Sequence, residues 1–167
     1  TDKLHTLAYG TDASFYRLIP KIVIKTDNAK EVQDIIELSN SLNLSITFRA
    51  GGTSLSGQAI SDSILVITSR NFSNFKIAPD ASYISLQPAL TGAQVNGLLA
   101  RYSKKIGPDP ASINAAMIGG IAANNASGMC CGISQNSYKT LKSMKLIFAD
   151  GAKLDTGCSE SKDAFRK

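Results

Sequence analysis

The chain has 167 residues, of which 43% are hydrophobic and 19% charged, with a formal net charge of +5. This balance is typical of a globular domain with one core, and the absence of an apolar run of about 18 residues excludes a transmembrane helix. The basic residues are scattered and no DNA- or RNA-reading motif occurs, so we do not expect nucleic-acid binding.

The first predicted elements are a strand and a helix. Residues 21–25 have an apolar centre and are predicted to form a short strand. Three residues that can cap the following helix come next, namely Thr26, Asp27 and Asn28. The helix is predicted from apolar residues at helical spacing, which are Val32, Ile35, Ile36 and Leu42. We expect the helix to end at Asn43.

Two more strands complete a first lobe. We predict them over residues 45–49 and 64–68, with a glycine-rich loop between them. The order strand, helix, strand, loop, strand predicts parallel pairing in a small lobe that spans residues 1–70. The loop then lies at the carboxyl end of a strand, where open α/β sheets usually bind ligands.

The glycine-rich loop, residues 49–58, is the strongest functional motif. Three glycines and three small hydroxyl residues lie within seven positions. Glycine tolerates positive φ, and clustered backbone N–H groups form an anion nest that can hold a phosphate. Gln58 and Ala59 stand where a Walker loop requires Lys and Ser or Thr, and no Rossmann G-x-G-x-x-G occurs. The alternative interpretation is a tight turn between two elements.

The second half of the chain predicts an α+β lobe, residues 71–167. A strand over residues 83–87 precedes a helix that Thr91 can cap. The apolar residues of that helix are Val95, Leu98, Leu99 and Tyr102. A short helix is predicted over Ile118–Ala123, and residues 144–148 and 153–155 flank an Asp-Gly pair that is typical of a hairpin. We therefore expect antiparallel strands in this lobe.

A second cluster of small residues spans residues 107–128. It begins with Gly-Pro-Asp-Pro, contains the pair Gly119-Gly120, and closes on Asn-Asn-Ala-Ser-Gly. A surface loop has no need to be so apolar and so small. Close approach of the backbone to a flat ligand requires both properties.

These two clusters, in this order and about fifty residues apart, resemble the PCMH-type FAD-binding domain of the vanillyl-alcohol-oxidase-like flavoenzymes. Within that family, the chain most resembles the branch of the bacterial FAD-linked D-lactate, glycolate and D-2-hydroxyglutarate dehydrogenases. The likeness runs from residues 7–14 through residues 147–151. It implies an α+β fold with FAD between the two lobes. The chain would then be a fragment whose second lobe is incomplete at its C-terminus, as the missing initial Met also predicts.

The resemblance implies a set of cofactor-binding residues in both clusters. In the first loop, which would hold the FAD pyrophosphate, they are Arg49, Ala50, Gly51, Gly52, Thr53, Ser54, Gly57 and Gln58. For Arg49, a phosphate contact and a strand-end salt bridge are equal alternatives. Along the ribityl chain and the flavin ring they are Pro108, Asp109, Ser112, Met117, Gly119, Gly120, Asn125 and Gly128.

In the family that this chain resembles, some members attach FAD covalently through a His of the first loop, and related enzymes do so through a Cys near the position of Pro108. Here the only histidine is His5 and no cysteine is near Pro108, so the resemblance implies noncovalent FAD. His5 has no evident carboxylate partner and is not expected to act as a base.

The odd number of cysteines and the lack of Cys-x-x-Cys argue against a disulfide scaffold and a metal site. We expect reduced thiols in a cytoplasmic protein, or one peripheral to the inner face of the membrane. For Cys130 and Cys131, packing and a redox role both remain open.

The activity that the resemblance implies is oxidation of a D-2-hydroxy acid, with hydride passing from the substrate to flavin N5. Substrate-binding residues and the base would come from a C-terminal domain outside this chain, so no catalytic residue is predicted here. We expect the fragment to be inactive alone and to retain FAD weakly. The electron acceptor would be a quinone, a cytochrome or an iron–sulfur protein. The alternatives are an alcohol oxidase or peptidoglycan-precursor reductase on the same fold, or a nonenzymatic nucleotide-binding module that lost its flavin.

Overall fold

The computed structural model describes residues 2–166. Its helices are α1 (Lys3–Ala8), α2 (Ala29–Ser41), α3 (Gly92–Ala100), α4 (Ile118–Ala123), α5 (Ser137–Thr140) and α6 (Ser159–Phe165). Its strands are β1 (Ile22–Thr26), β2 (Ile46–Arg49), β3 (Ile64–Thr68), β4 (Phe75–Ile77), β5 (Ile84–Leu86), β6 (Lys145–Ile147) and β7 (Lys153–Asp155). The mixture of helix, parallel sheet and antiparallel sheets confirms the predicted α+β class.

A three-stranded parallel sheet organises the first part of the chain, in the order β1–β3–β2. Ile64 of the central strand is in register with Ile22 and Ile46. The next two residues of β3, Leu65 and Val66, are at most 1% exposed. A strand that is covered on both faces needs a continuous apolar run, and β3 has one. The predicted parallel pairing is confirmed.

Helix α2 connects β1 to β2 and begins as its sequence predicts. The side chain of Asn28 accepts a hydrogen bond from the N–H of Glu31 at 3.0 Å, and the Glu31 carboxylate accepts one from the N–H of Asp27 at 2.8 Å. Of the three cap candidates, Asn28 is the N-cap. Asn43 adopts a left-handed φ of 51° just beyond the helix, which confirms its predicted place at the helix end.

The second part of the chain is built around α3 and the β4–β5 hairpin. Thr91 and Gln94 form a capping box at the start of α3, which confirms the predicted cap. Leu90, Val95 and Leu99 form a buried cluster against which apolar residues of both hairpin strands pack. Val95 is fully buried, and such burial stabilises a fold by about 1.5–3 kcal/mol. This cluster fixes the position of the segment that leads into α4.

The predicted hairpin at residues 144–155 is also confirmed. β6 and β7 pair antiparallel, and Gly151 adopts a φ of 84° in the connection. Phe148 stacks on Phe165 of α6 with ring centroids 4.9 Å apart.

Several elements have no counterpart in the sequence prediction, namely α1, α5, α6 and β4. The antiparallel strands form two separate two-stranded sheets, β4–β5 and β6–β7. The expectation that His5 lacks a carboxylate partner is wrong, since its Nδ1 lies 2.8 Å from a carboxylate oxygen of Asp2. Asp2 also caps α1, and that turn brings the two residues together.

Candidate functional site

A cavity of about 360 Å³ lies between the glycine-rich loop and the second cluster of small residues. Its size falls within the range of small-molecule sites, about 300–1,000 Å³. Nine of the predicted site residues line it: Ala50, Gly51, Gly52, Thr53, Ser54, Gln58, Ser112, Met117 and Gly120. The structure therefore brings the two sequence clusters together around one cavity.

The first wall of the cavity is the loop that follows β2. Gly52 adopts a φ of +68° and Gly57 a φ of +72°, which L-residues rarely adopt. The Ser54 hydroxyl accepts hydrogen bonds from the N–H groups of Ser56, at 3.1 Å, and Gln58, at 3.2 Å. These bonds fold the second half of the loop on itself.

The backbone N–H groups in the first half of the loop have no acceptor in the part of the chain that the structure describes. Within residues 2–166, the N–H groups of Gly51, Gly52, Thr53 and Ser54 donate no hydrogen bond. All four residues line the cavity. Four consecutive N–H donors at a cavity wall, one of them in a left-handed residue, match the chemistry of an anion nest. The loop therefore fits a phosphate or pyrophosphate group.

The second wall approaches the loop backbone to backbone. A Cβ on Gly51 would meet the carbonyl oxygen of Ala115 and would lie 3.2 Å from its carbonyl carbon. A Cβ on Gly120 would lie 3.4 Å from the methyl of Ala50. Gly51 is required because this crossing has no space for a side chain.

Arg49 lies behind the loop and does not line the cavity. Its Nη1 donates to the carbonyl oxygens of Thr11 at 2.7 Å and Ala59 at 3.3 Å, and its guanidinium lies 5.7 Å from the Tyr9 ring centroid. Among the described residues it forms no salt bridge, so that alternative of the sequence analysis is wrong. A phosphate contact by Arg49 stays a prediction.

Asp109 is a structural clamp beside the cavity. Its carboxylate accepts hydrogen bonds from the N–H groups of Cys130 and Cys131, both at 3.1 Å. Burial works against the charged form, but the N–H donors of Cys131 and Cys130 outweigh it and hold the pKa of Asp109 below its ordinary value. A Cβ on Gly128 would collide with Asp109, so this glycine is needed for the same contact.

The remaining predicted residues also lie outside the cavity lining. A Cβ on Gly119 would lie 2.7 Å from Cβ of Pro88, and one on Gly57 would lie 2.9 Å from the Tyr16 ring. The Asn125 side chain accepts a hydrogen bond from the N–H of Tyr138 at 3.0 Å. Pro108 is buried and adjoins the Asp109 clamp. Direct cofactor contacts by these residues stay predictions.

Eight lining residues were absent from the predicted set: Phe48, Ala59, Pro110, Ala116, Ile121, Ala123, Asn124 and Ala126. Helical spacing could have identified part of this set. Met117, Gly120, Ile121 and Asn124 recur at intervals of three and four and form one face of α4 and its caps. The predicted residues in this segment were chosen from the motif rather than from that face.

The cavity lining has no group that commonly attaches a flavin covalently. None of the described lining residues is His, Cys or Tyr. Cys130 and Cys131 contact Asp109 although they lie about twenty residues away in sequence. Neither cysteine lines the cavity.

Within residues 2–166, no three or more His, Cys, Asp or Glu side chains are grouped to hold a metal ion. In the same part of the chain, no helix combines the length and apolar character needed to cross a bilayer.

Comparison with known proteins matches residues 20–157 to the model of a family described as "FAD binding domain". The chain is 27% identical over 154 residues to D-2-hydroxyglutarate dehydrogenase of Escherichia coli K12, which covers 90% of this chain and 15% of that protein. It is 28% identical over 161 residues to glycolate oxidase subunit GlcD of the same organism, covering 92% of this chain and 32% of that protein.

A solved structure of alkyldihydroxyacetonephosphate synthase superposes with a TM-score of 0.79 at 18% identity, over 97% of this chain and 34% of that one. At this identity, the likeness concerns the fold. The chain spans between about a seventh and a third of the length of these proteins.

Proposed function

The chain belongs to the family of FAD-binding domains, with FAD as its cofactor, and on this premise we propose that residues 51–54 hold the FAD pyrophosphate. The observation that carries this proposal is that four consecutive residues line the cavity while their N–H groups have no hydrogen-bond acceptor among residues 2–166. Backbone donors suit a diphosphate because they bind its oxygens without the flexibility of long side chains.

The second cluster would receive the rest of the cofactor. The α4 face with Met117, Gly120 and Asn124 lines the opposite side of the cavity and offers apolar surface with one amide group. We propose that this face contacts the ribityl chain and the flavin, with no covalent bond. The two lobes, residues 1–70 and residues 71–167, would then each supply one wall of the cavity and bind the same cofactor.

We propose that the full-length protein oxidises a D-2-hydroxy acid such as D-lactate, glycolate or D-2-hydroxyglutarate. The support is that the curated relatives include proteins named for D-2-hydroxyglutarate and glycolate. Bound FAD would supply the two-electron chemistry by accepting a hydride from the substrate at N5. This chain's residues would bind and orient the cofactor, while groups outside the chain would bind the substrate and accept its hydroxyl proton.

The partners and location that follow from this activity are also proposals. The reduced cofactor needs an electron acceptor, for which we propose a quinone, a cytochrome or an iron–sulfur protein. Cys130, Cys131 and Cys158 are free thiols, which is typical of a reducing compartment. We therefore propose a cytoplasmic protein, with attachment to the inner face of the membrane as the alternative.

A substrate panel tests the proposed activity. The full-length protein carrying this chain, loaded with FAD, would be assayed with D-lactate, glycolate, D-2-hydroxyglutarate and their L-enantiomers, where these exist, using an artificial electron acceptor. We expect the electron acceptor to be reduced with glycolate or with the D-enantiomer of at least one of the other acids. Activity only with simple alcohols, or oxidation of a reduced nicotinamide, would favour the alternative reactions on this fold, and failure to bind flavin would favour the nonenzymatic alternative.

A further inference from the structure

The segment that precedes the matched FAD-binding domain contacts the pyrophosphate loop at several points. We call residues 9–18 the N-terminal clasp. They lie before residue 20, where the family match begins. The clasp closes on itself, since the N–H of Leu18 donates to the carbonyl of Gly10 at 3.0 Å and Thr11 forms a β-bridge with Arg17.

The clasp contacts the first half of the loop from behind. The N–H of Ala13 donates to the carbonyl oxygen of Gly52 at 3.1 Å. The carbonyl oxygen of Thr11 accepts the 2.7 Å hydrogen bond from Arg49, and Arg49 also lies over the Tyr9 ring. The guanidinium occupies the space where a side chain on Gly52 would be. The Gly52 carbonyl and the Thr53 N–H belong to one trans peptide and point in opposite directions. The contact between Ala13 and the Gly52 carbonyl therefore directs the Thr53 N–H away from the clasp.

The clasp also contacts the far end of the loop. The Asp12 carboxylate accepts hydrogen bonds from the N–H of Ser14 at 2.8 Å and from the N–H of Ala59 at 3.3 Å. Gly57 lies against the Tyr16 ring with no space for a side chain. One short segment therefore connects to both ends of the loop whose N–H groups form the nest.

The geometry points to Asp12 and the clasp as positioning elements of the FAD site, which hold the nest in its binding conformation before the cofactor arrives. This inference rests on the proposed role of residues 51–54. Preorganisation raises affinity because the loop does not have to be ordered when the ligand binds. A glycine-rich loop gains most from such support, since its backbone loses the most freedom on ordering.

The charge state of Asp12 agrees with this role. Burial disfavours the carboxylate, but hydrogen bonds from Ser14 and Ala59 and the charge of Arg49 outweigh that effect and place the pKa of Asp12 below its ordinary value. At neutral pH the carboxylate therefore accepts both N–H groups in its ionised form.

The test compares Asp12→Asn with Asp80→Asn in the full-length protein. The Asp12→Asn amide turns one donor toward an N–H group and loses an acceptor. Asp80 is the matched control, because its carboxylate accepts the N–H and hydroxyl of Ser82 within its own turn and makes no contact with the loop. FAD affinity is measured by fluorescence titration. Amide hydrogen exchange is measured without ligand in β3 and at the hydrogen-bonded amides of the loop and its far end, which are Ser56, Gln58 and Ala59.

For Asp12→Asn we expect about tenfold weaker FAD binding and about tenfold faster exchange at the amides of Ser56, Gln58 and Ala59, with β3 unchanged. Asp80→Asn should alter neither quantity. Unchanged FAD affinity in Asp12→Asn, or faster exchange in β3 as well as in the loop, would overturn the positioning role. If the wild-type protein binds no FAD, the proposed cofactor role fails separately, and faster exchange confined to the loop would still support the clasp.

Discussion

The crossing of Gly51 over Ala115 makes a sharp prediction for Gly51→Ala. The added methyl would meet the carbonyl oxygen of Ala115 and lie 3.6 Å from Cα of Ala116. Both obstacles are backbone atoms, so no rotamer change relieves the contact. The Ala115 turn is held by hydrogen bonds from the N–H groups of Ala115 and Ala116 to the carbonyl of Ser112, at 2.8 and 2.7 Å. We therefore expect the loop, rather than the turn, to move.

Overpacking of this kind costs about 1–3 kcal/mol. For a domain of this size each kcal/mol lowers Tm by about 2–4 °C, which gives a fall of about 2–12 °C. Because the displaced residue is part of the nest, FAD affinity should also fall, by about ten- to a hundredfold, or about 1.4–2.8 kcal/mol. Tm would be measured by circular dichroism and affinity by flavin fluorescence.

Gly97→Ala is the matched control. Gly97 lies within α3, is exposed, and has no atom within 4 Å of an added Cβ. The same substitution there should stabilise the fold by about 0.5–1 kcal/mol and leave FAD affinity unchanged. If Gly51→Ala matched Gly97→Ala in both Tm and affinity, the backbones of Gly51 and Ala115 would not cross as closely in the protein as described.

Three further predictions concern the same cavity. Gly52→Val should abolish FAD binding, because Gly52 has a φ of +68° and its Cβ would meet the Arg49 guanidinium; unchanged affinity in a titration would sink the loop assignment. Gly120→Ala should stabilise the fold by about 0.5–1 kcal/mol through helix propensity and so raise Tm. It should also weaken FAD binding, because the added methyl narrows the cavity, and tighter binding would contradict this. The lowered pKa of Asp109 means that its ionised form stabilises the fold above the ordinary value of 3.8, and that this contribution is lost as pH falls through the lower folded pKa. Asp109→Asn should therefore show a smaller acid-side fall of Tm than the wild type, and superimposable profiles would argue against the clamp.

Local patterns were sufficient to predict much of the fold. The continuous apolar run of β3, the cap at Asn28 and the capping box at Thr91 are each encoded within a few residues, and each is present in the structure. β4 was not predicted because Phe75–Ile77 is only three residues long and is stabilised by pairing with β5 and by contact with the α3 cluster. Helices α5 and α6 were not predicted because, unlike α4, they contain no apolar residues that recur at helical spacing.

The candidate site was predictable where the backbone itself makes the site. The glycines at 51 and 52 could be identified because positive φ and close approach leave few other choices. The flavin contacts of Asp109 and Gly128 stay predictions, and the structure shows that these two residues lie against each other. Asp109 also binds the N–H groups of Cys130 and Cys131, about twenty residues further along the chain, and a single sequence carries no indication of that contact.

Pro110 and Ala126 line the cavity next to predicted residues, and they were missed for a similar reason. Motif matching selects the residue types that a family shares, whereas the cavity wall is determined by which side of each turn faces inward. On α4 the helical period supplies that information, but the surrounding irregular segments have no period.

The most direct test of the account is an FAD titration of the full-length protein that carries this chain, with ADP and FMN as competitors. We expect saturable binding that ADP inhibits and FMN does not, because the nest at residues 51–54 is proposed to recognise the pyrophosphate of the adenine half. Binding that FMN inhibits as well as FAD, with no effect of ADP, would contradict the assignment of the pyrophosphate to this loop.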